Sequence, residues 1–112
     1  MAIAPAPTIC GLYTRVSTRN QADTEYSSLE TQREKLEAYC KSQEQYVVYR
    51  VYEDAGFSAD TMNRPALKEL LQDIRAGRIT CVLAYKIDRL TRSVKDFHVL
   101  MDLFDRHGAK FV

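Results

Sequence analysis

An arginine and a serine stand two residues apart, at positions 15 and 17, directly after a short apolar segment. In an extended chain, residues two apart point to the same side, so the Arg15 guanidinium and the Ser17 hydroxyl would lie side by side. A guanidinium can bind two phosphate oxygens and a serine hydroxyl can form a phosphoester, so the pair could be a phosphate site with its own nucleophile. The same residues would also suit an ordinary strand end followed by a polar turn.

More arginines follow two further apolar segments, and they favour the phosphate site. Arg64 comes after residues 46–52, while Arg89 and Arg92 come after residues 79–85. If these segments are parallel strands, their carboxyl ends meet at one edge of the sheet, where ligands bind in open α/β folds. Phosphoryl transfer needs fixed donors that meet the charge on the phosphate oxygens, and arginines at one edge could supply them. The other polar residues at these predicted strand ends are Gln21, Asp54, Ser58, Lys86 and Asp88.

The spacing of apolar residues predicts the strands and helices that would build this edge. Strands are predicted over four short apolar or β-branched segments, residues 8–13, 46–52, 79–85 and 109–112. Helices are predicted between them, and they cover residues 29–42, 65–76 and 94–107. This alternation is typical of an α/β domain with a central, mainly parallel sheet of about four strands flanked by helices.

Apolar residues that recur every three or four positions predict the buried face of each helix. In the first helix this pattern places four residues inside, Leu29, Leu36, Tyr39 and Cys40. In the last helix it places five residues on one face, Val94, Phe97, Leu100, Met101 and Phe104. The inner face of the middle helix consists of Leu67, Leu70, Leu71 and Ile74.

Bulk composition limits the class of protein. Of the 112 residues, 46% are hydrophobic and 28% are charged, which is the balance of one globular domain. The net charge of +1 provides no basic field over the whole chain, so any anion site must be local. No apolar run approaches about 18 residues, so no membrane span is predicted. Residues 1–7 are interpreted as a flexible leader, since they hold two prolines and lack the basic residue of a secretory signal.

The three cysteines indicate the redox environment. Cys10, Cys40 and Cys81 are far apart in sequence and odd in number, and two of them stand in apolar strand-like segments. We expect buried, reduced thiols in a cytoplasmic protein. No CxxC or clustered His/Cys spacing indicates a metal site.

Five motifs, taken in order, resemble the catalytic domain of serine recombinases, the resolvase/invertase superfamily. They are Tyr13-Thr14-Arg15-Val16-Ser17-Thr18 with Gln21, Ser28-Leu29-Glu30-Thr31-Gln32-Arg33, Asp54-Ala55-Gly56-Phe57-Ser58, Arg64-Pro65 and Tyr85-Lys86-Ile87-Asp88-Arg89-Leu90-Thr91-Arg92-Ser93. The match begins at residue 9 and runs over almost the whole chain. The long segment between Ser17 and Leu29 and the motif from Tyr85 to Ser93 look most like the large serine recombinases, of the phage integrase and transposon recombinase type. The resemblance implies a three-layer, resolvase-like domain.

The resemblance also implies a role for each matching residue. Ser17 would attack a DNA phosphate and form a 5′-phosphoserine link. The residues that would bind the scissile phosphate and stabilise the transition state are Arg15, Arg64, Arg89 and Arg92. Gln21 would help to hold the phosphate or the serine loop, and Asp88 would orient an arginine or share in proton transfer. Gln32 and Ser58 match weaker family positions, and Ala59 stands where the family usually has glycine.

Some of these residues keep a simpler interpretation. Asp88 and Arg89 could form a structural ion pair only, and Asp54 could be a solvated loop acid or a local hydrogen-bonding partner. Lys86 could face solvent or contact DNA.

The resemblance further implies partners and a domain boundary. Residues 8–112 would be the catalytic domain, ending before the long dimerisation helix and the DNA-binding domains. The full-length protein, encoded by a bacterium, phage or transposon, would act on double-stranded DNA attachment sites as homodimers that assemble into a synaptic homotetramer. It would need no metal and no other cofactor, and the isolated domain would be inactive.

Two other classes of function stay open beside the recombinase. One is a recombinase-like module that assembles with DNA or protein without cutting, and the complete set of Ser17 and four arginines argues against it. The other is a different hydrolase or a small phosphate-binding α/β domain. The sequence lacks a nucleophile-elbow motif and a Gly-rich phosphate loop, which argues against that class.

Overall fold

The computed structural model describes residues 7–16, 29–57 and 61–112, apart from the side chain of Asp88. Within these residues four strands form one parallel sheet in the order β2-β1-β3-β4. The strands are β1 (Thr8–Val16), β2 (Tyr46–Ala55), β3 (Cys81–Ala84) and β4 (Lys110–Phe111). The long central strand β1 pairs with β2 along its whole length, from Thr8 opposite Tyr46 to Val16 opposite Ala55.

Helices cover both faces of the sheet. They are α1 (Leu29–Ser42), α2 (Pro65–Arg75), the one-turn α3 (Ile87–Leu90) and α4 (Val94–Arg106). Side chains of α1 pack against one face, and side chains of α2, α3 and α4 pack against the other. The three-layer α/β fold with a parallel sheet is therefore confirmed. Among the described residues, no helix combines the length and the apolarity needed to cross a membrane.

Several local predictions were wrong, and strand pairing explains one of them. β2 runs on to Ala55, beyond the predicted loop start at residue 53, because it keeps pairing with the end of β1. The segment between β3 and α4, where no helix was predicted, contains the single turn of helix α3. Tyr39 and Val94 are 39% and 73% exposed, so neither belongs to the inner face of its helix.

Side chains along β1 point alternately to the two faces of the sheet, and each face has its own hydrophobic core. Cys10 and Leu12 contribute to the core under α1, whereas Tyr13 contributes to the core under α2 and α4. Gly11 also faces the α2 side, where an added Cβ would lie 2.9 Å from the Ile79 Cδ1 atom and 3.0 Å from that of Leu70. This close approach leaves no room for a side chain at position 11.

The three cysteines are buried and free, as predicted, and they lie in one cluster under α1. Cys10 and Cys81 stand opposite each other in the β1–β3 register. Burial raises the pKa of Cys10 to about 11 and the pKa of Cys40 to about 12. Thiols with such pKa values stay protonated at neutral pH and behave as small apolar side chains.

Candidate functional site

The end of β1 places a buried arginine at the carboxyl edge of the sheet. Arg15 is 1% exposed, although a charged side chain is rarely buried without partners. Its Nε donates to the backbone oxygen of Arg89 at 3.0 Å, and its Nη1 donates to the backbone oxygen of Phe57 at 2.9 Å. One guanidinium thereby joins the ends of β1 and β2 to helix α3.

Helix α1 holds the backbone of this arginine. The Arg15 amide donates to Gln32 Oε1 at 3.2 Å, and Gln32 Nε2 donates back to the Arg15 carbonyl at 3.1 Å. Gln32 is fully buried, so both ends of its amide are used inside the protein. Sequence reasoning gave Gln32 only a weak family match. A glutamine on the inner face of a helix, four residues before Leu36, was the signal for its buried role.

A second buried arginine, Arg64, precedes the first turn of α2. Its Nε donates to the Thr61 carbonyl at 2.8 Å, and its Nη1 donates to Tyr13 Oη at 2.9 Å and to the Arg89 carbonyl at 3.3 Å. Its Nη2 donates to the Leu90 carbonyl. Arg15 and Arg64 therefore both bind the backbone of α3, and the α3 turn is held by two charged donors.

Asp54 and Tyr13 connect this arginine to the start of α2. The Tyr13 hydroxyl donates to Asp54 Oδ2 at 2.7 Å while it accepts from Arg64. Asp54 also accepts from the backbone amides of Ala66 and Leu67 at 2.9 and 3.0 Å. A carboxylate at a helix N-terminus satisfies amides that have no partner within the helix and complements the helix dipole. Of the roles left open for Asp54, the structure selects a buried hydrogen-bonding partner.

The Tyr13 hydroxyl itself stays protonated. Burial raises the pKa of Tyr13 well above its ordinary value, the positive charge of Arg64 opposes this shift, and the hydrogen bond to Asp54 adds to it. Tyr13 was missed as a site residue by sequence reasoning. Its position two residues before Arg15 on the same strand was the available signal.

Positive charge is concentrated at this edge of the sheet. Burial lowers the pKa of the Arg15 guanidinium, and the charge of Arg89 acts in the same direction. Arg64 and Arg92 lower the pKa of Arg15 further, whereas Tyr13 opposes them. The four predicted arginines therefore share one electrostatic environment. Arginine remains protonated there, and an anion would relieve the repulsion between the guanidinium groups.

The remaining predicted residues are placed differently. Arg92 and Lys86 are exposed. The Lys86 Nζ atom lies 5.7 Å from the centre of the Tyr85 ring, so this lysine faces the side of Tyr85 and not the buried arginines. Ser17, Gln21, Ser58 and Ala59 lie outside the described residues, as do the side chain of Asp88 and residues 1–6. Of the predicted residues, the structure brings the Arg15 and Arg64 guanidiniums together at one acceptor, the backbone carbonyl of Arg89.

The arrangement can do two things chemically. It fixes cationic groups before any ligand arrives, which is the property required of a site that stabilises a charged transition state. It also leaves an exposed guanidinium, that of Arg92, which a ligand can reach from solvent. Asp54 and Gln32 use their polar groups on the protein itself, so in this geometry they act as supports.

Several known proteins are similar to this chain in sequence and in fold. The family model described as the resolvase N-terminal domain matches residues 10–112. A putative DNA recombinase of Bacillus subtilis is 37% identical over 91 residues, which cover 81% of this chain but only 17% of the relative. An uncharacterised immunity region protein of Bacillus phage phi105 is 45% identical over 74 residues, covering 66% of this chain and 88% of the relative.

Solved structures give the same result. The N-terminal catalytic domain of TP901-1 integrase matches with a TM-score of 0.85 and 38% identity, over 94% of this chain and 76% of that one. A resolvase family site-specific recombinase from Streptococcus pneumoniae matches with a TM-score of 0.77 and 30% identity, over 94% and 70% of the two chains. The protein therefore belongs to the resolvase family of serine recombinase catalytic domains.

Proposed function

We propose that this domain cleaves and rejoins DNA as the catalytic domain of a site-specific recombinase, with Ser17 as its nucleophile. The observation that carries the proposal is that the buried Arg15 and Arg64 guanidiniums both donate to the Arg89 carbonyl near the end of β1, since Ser17 follows that strand directly. Buried guanidiniums held in place by protein oxygens form a pre-organised cationic site, and a phosphodiester is the anion that such a site suits in a DNA recombinase.

The reaction proposed for Ser17 is a transfer of the phosphoryl group. The Ser17 oxygen attacks the phosphorus of one phosphodiester, and the bond from phosphorus to the 3′ oxygen breaks. The serine proton leaves to an acceptor and a proton is delivered to the 3′ oxygen, so the products are a 5′-phosphoserine and a free 3′ hydroxyl. Rejoining reverses these steps with a 3′ hydroxyl as nucleophile. The phosphoester keeps the bond energy, so the proposed cycle uses no external energy source.

The arginines would divide the work of charge stabilisation. Arg15 and Arg64 are buried and would supply a fixed positive field at the phosphate, which also favours the ionised form of the attacking hydroxyl. Arg89 would contribute to the same field, and the exposed Arg92 would contact the phosphate oxygens directly. Gln21 would hold the phosphate or the serine loop, and Asp88 would orient an arginine or share in proton transfer.

The proposal extends to the parent protein. Residues 8–112 would form the catalytic domain of a longer chain. That chain would bind double-stranded DNA attachment sites as a homodimer, and two such homodimers would assemble into a synaptic homotetramer. The names of the relatives support this proposal, because they describe a DNA recombinase, an integrase and a site-specific recombinase. Lys86 belongs to the proposed DNA contacts.

A covalent trap tests the proposal. The full-length protein is incubated with its attachment site, nicked beside the scissile phosphate so that cleavage cannot be reversed. We expect a protein–DNA adduct that survives denaturation, maps to Ser17 by mass spectrometry and is lost in Ser17→Ala. Ser42→Ala, at the exposed end of α1, is the matched control and should form the adduct normally. No adduct from bound wild-type protein would favour the assembly module, and an adduct in Ser17→Ala would identify a different nucleophile.

A further inference from the structure

A second group of cations lies at the same edge of the sheet, on the α1 side. Tyr85 follows β3, and two lysines approach its ring. The Lys35 Nζ atom, from helix α1, lies 5.5 Å from the ring centre, and the Lys86 Nζ atom lies 5.7 Å from it. We name Lys35, Tyr85 and Lys86 the lysine–tyrosine cluster. Two ammonium groups held at one aromatic ring raise the local density of positive charge in spite of their mutual repulsion.

This charge is not neutralised by neighbouring acids. Among the described side chains, neither Lys35 nor Lys86 lies within ion-pair distance of a carboxylate. Glu37, one turn along α1 from Arg33, contacts that arginine at 3.9 Å instead. Both lysines are exposed, so the cluster presents two ammonium groups to the solvent.

An open groove lies beside the lysine–tyrosine cluster, and two of its lining residues are tyrosines. This groove of about 320 Å³ lies beside α1, and its lining is mainly apolar. The lining residues are Lys35, Leu36, Tyr39, Leu83, Ala84, Tyr85 and Val112. Tyr39 is the residue that the helix pattern placed inside and that the structure leaves exposed. The groove has one basic side chain, Lys35, beside two aromatic rings, and Lys86 reaches the Tyr85 ring from outside it.

The cluster and the buried arginines are linked by a short stretch of chain. Tyr85 and Lys86 fill the interval between β3 and α3, and α3 carries Arg89. The arginines hold α3 from the α2 side, through the Arg89 and Leu90 carbonyls, while Tyr85 meets Lys35 on the α1 side. A DNA strand that crosses this edge from the α2 side to the α1 side would therefore meet both the arginines and the lysines.

We propose that Lys35 and Lys86 bind backbone phosphates of the DNA that flanks the scissile phosphate, with the Tyr85 ring holding both lysines in position. This inference rests on the proposed function, because it assumes that the buried arginines receive the scissile phosphate. The lysine contacts add affinity without reading sequence, since they go to phosphates and not to base edges.

The salt dependence of DNA binding tests the cluster. Each phosphate neutralised by a lysine adds about 0.9 to the slope of log K against log salt concentration on B-DNA. A fluorescently labelled 30-base-pair duplex is titrated with the full-length protein over a range of salt concentrations, and anisotropy gives the binding constant. We expect Lys35→Gln with Lys86→Gln to reduce the slope by about 2 and to weaken binding at low salt.

A matched control exists at the opposite edge of the sheet. Lys110 lies 5.4 Å from the centre of the Tyr46 ring, and Lys41 is near the end of α1, so Lys41→Gln with Lys110→Gln removes the same charge from a similar setting. The control should keep the wild-type slope. The proposal is overturned if the cluster variant keeps the wild-type slope, or if the control loses as much. Far-ultraviolet circular dichroism of both variants verifies that they are folded.

The two proposals fail in different ways. If the covalent adduct at Ser17 is absent while the slope depends on Lys35 and Lys86, the cluster is a DNA-binding surface and the cleavage chemistry is refuted. If the adduct forms and the slope is insensitive to both lysines, the cleavage chemistry stands and the cluster is refuted.

Discussion

The two faces of strand β1 are both buried, yet they solve different physical problems. The face toward α2 carries Tyr13 and Arg15, and it buries charge. The face toward α1 carries Cys10 and Leu12, which pack with Cys40, and it buries apolar groups and thiols. A single strand thus supports a charged network on one side and an ordinary core on the other.

The two faces of β1 differ in how they offset the cost of burying polar groups. A buried guanidinium must keep its charge, so it needs hydrogen-bond acceptors on several sides, and Arg64 has four of them. A buried thiol can stay neutral, so it needs no partner beyond close packing. The charged face is therefore held by many specific contacts, and a pre-organised catalytic site requires that property.

The largest loss of stability is expected when Arg64, which donates to four acceptors in the charged network, is replaced. Arg64→Lys keeps the charge but removes the planar fork, so the carbonyls of Thr61 and Leu90 lose their donors. We expect a loss of about 3 kcal/mol in the free energy of unfolding, measured by urea denaturation. Arg106→Lys, at the exposed end of α4, is the control and should change stability by less than about 0.5 kcal/mol. Equal effects would contradict the distinction between held and exposed arginines.

A smaller effect is expected from the hydroxyl that links Arg64 to Asp54. Tyr13→Phe removes both hydrogen bonds of that hydroxyl, but Asp54 keeps the amides of Ala66 and Leu67. We expect a loss of about 2 kcal/mol in unfolding free energy and slower formation of the covalent adduct. Tyr49→Phe, on an exposed part of β2, should leave both measurements unchanged. A stable Tyr13→Phe variant with normal cleavage would show that the link is dispensable.

The smallest effect for a single residue is expected on the face of β1 toward α1, where each buried thiol should make the free energy of unfolding fall at alkaline pH. The pKa values of Cys10 and Cys40 are raised to about 11 and about 12 in the folded state, above the ordinary value of about 8.5 for an exposed thiol. The thiol contribution to stability is therefore complete below about pH 8.5 and declines as the pH rises toward the folded-state values.

Urea denaturation between pH 8 and pH 9.5 measures this decline, which we expect to be on the order of 1 kcal/mol for each thiol. Cys40→Ala should show a shallower decline over the same range, since it has one thiol fewer to ionise on unfolding. A Cys40→Ala variant with the wild-type pH profile would mean that the thiols ionise equally in the folded and unfolded states.

The sequence was sufficient for the architecture and for part of the site. The βα order, the buried face of α2 and the meeting of arginines at one edge all follow from local periodicity and from the geometry of parallel sheets. The pairing of Tyr13 with Asp54 could not be predicted, because it joins residues 41 positions apart through side-chain geometry. Tyr39 and Val94 fit the apolar pattern of their helices, but a pattern cannot tell which positions a neighbouring element will cover.

The buried thiols have a practical consequence for experiments on this protein. All of its cysteines are shielded within the core, so alkylating reagents should leave the folded protein almost untouched at neutral pH. Val94→Cys would then place a single reactive handle on the surface, two residues after Arg92 and outside the lysine–tyrosine cluster. A dye attached there could report, by energy transfer to labelled DNA, how the strand approaches this edge without any need for a cysteine-free background.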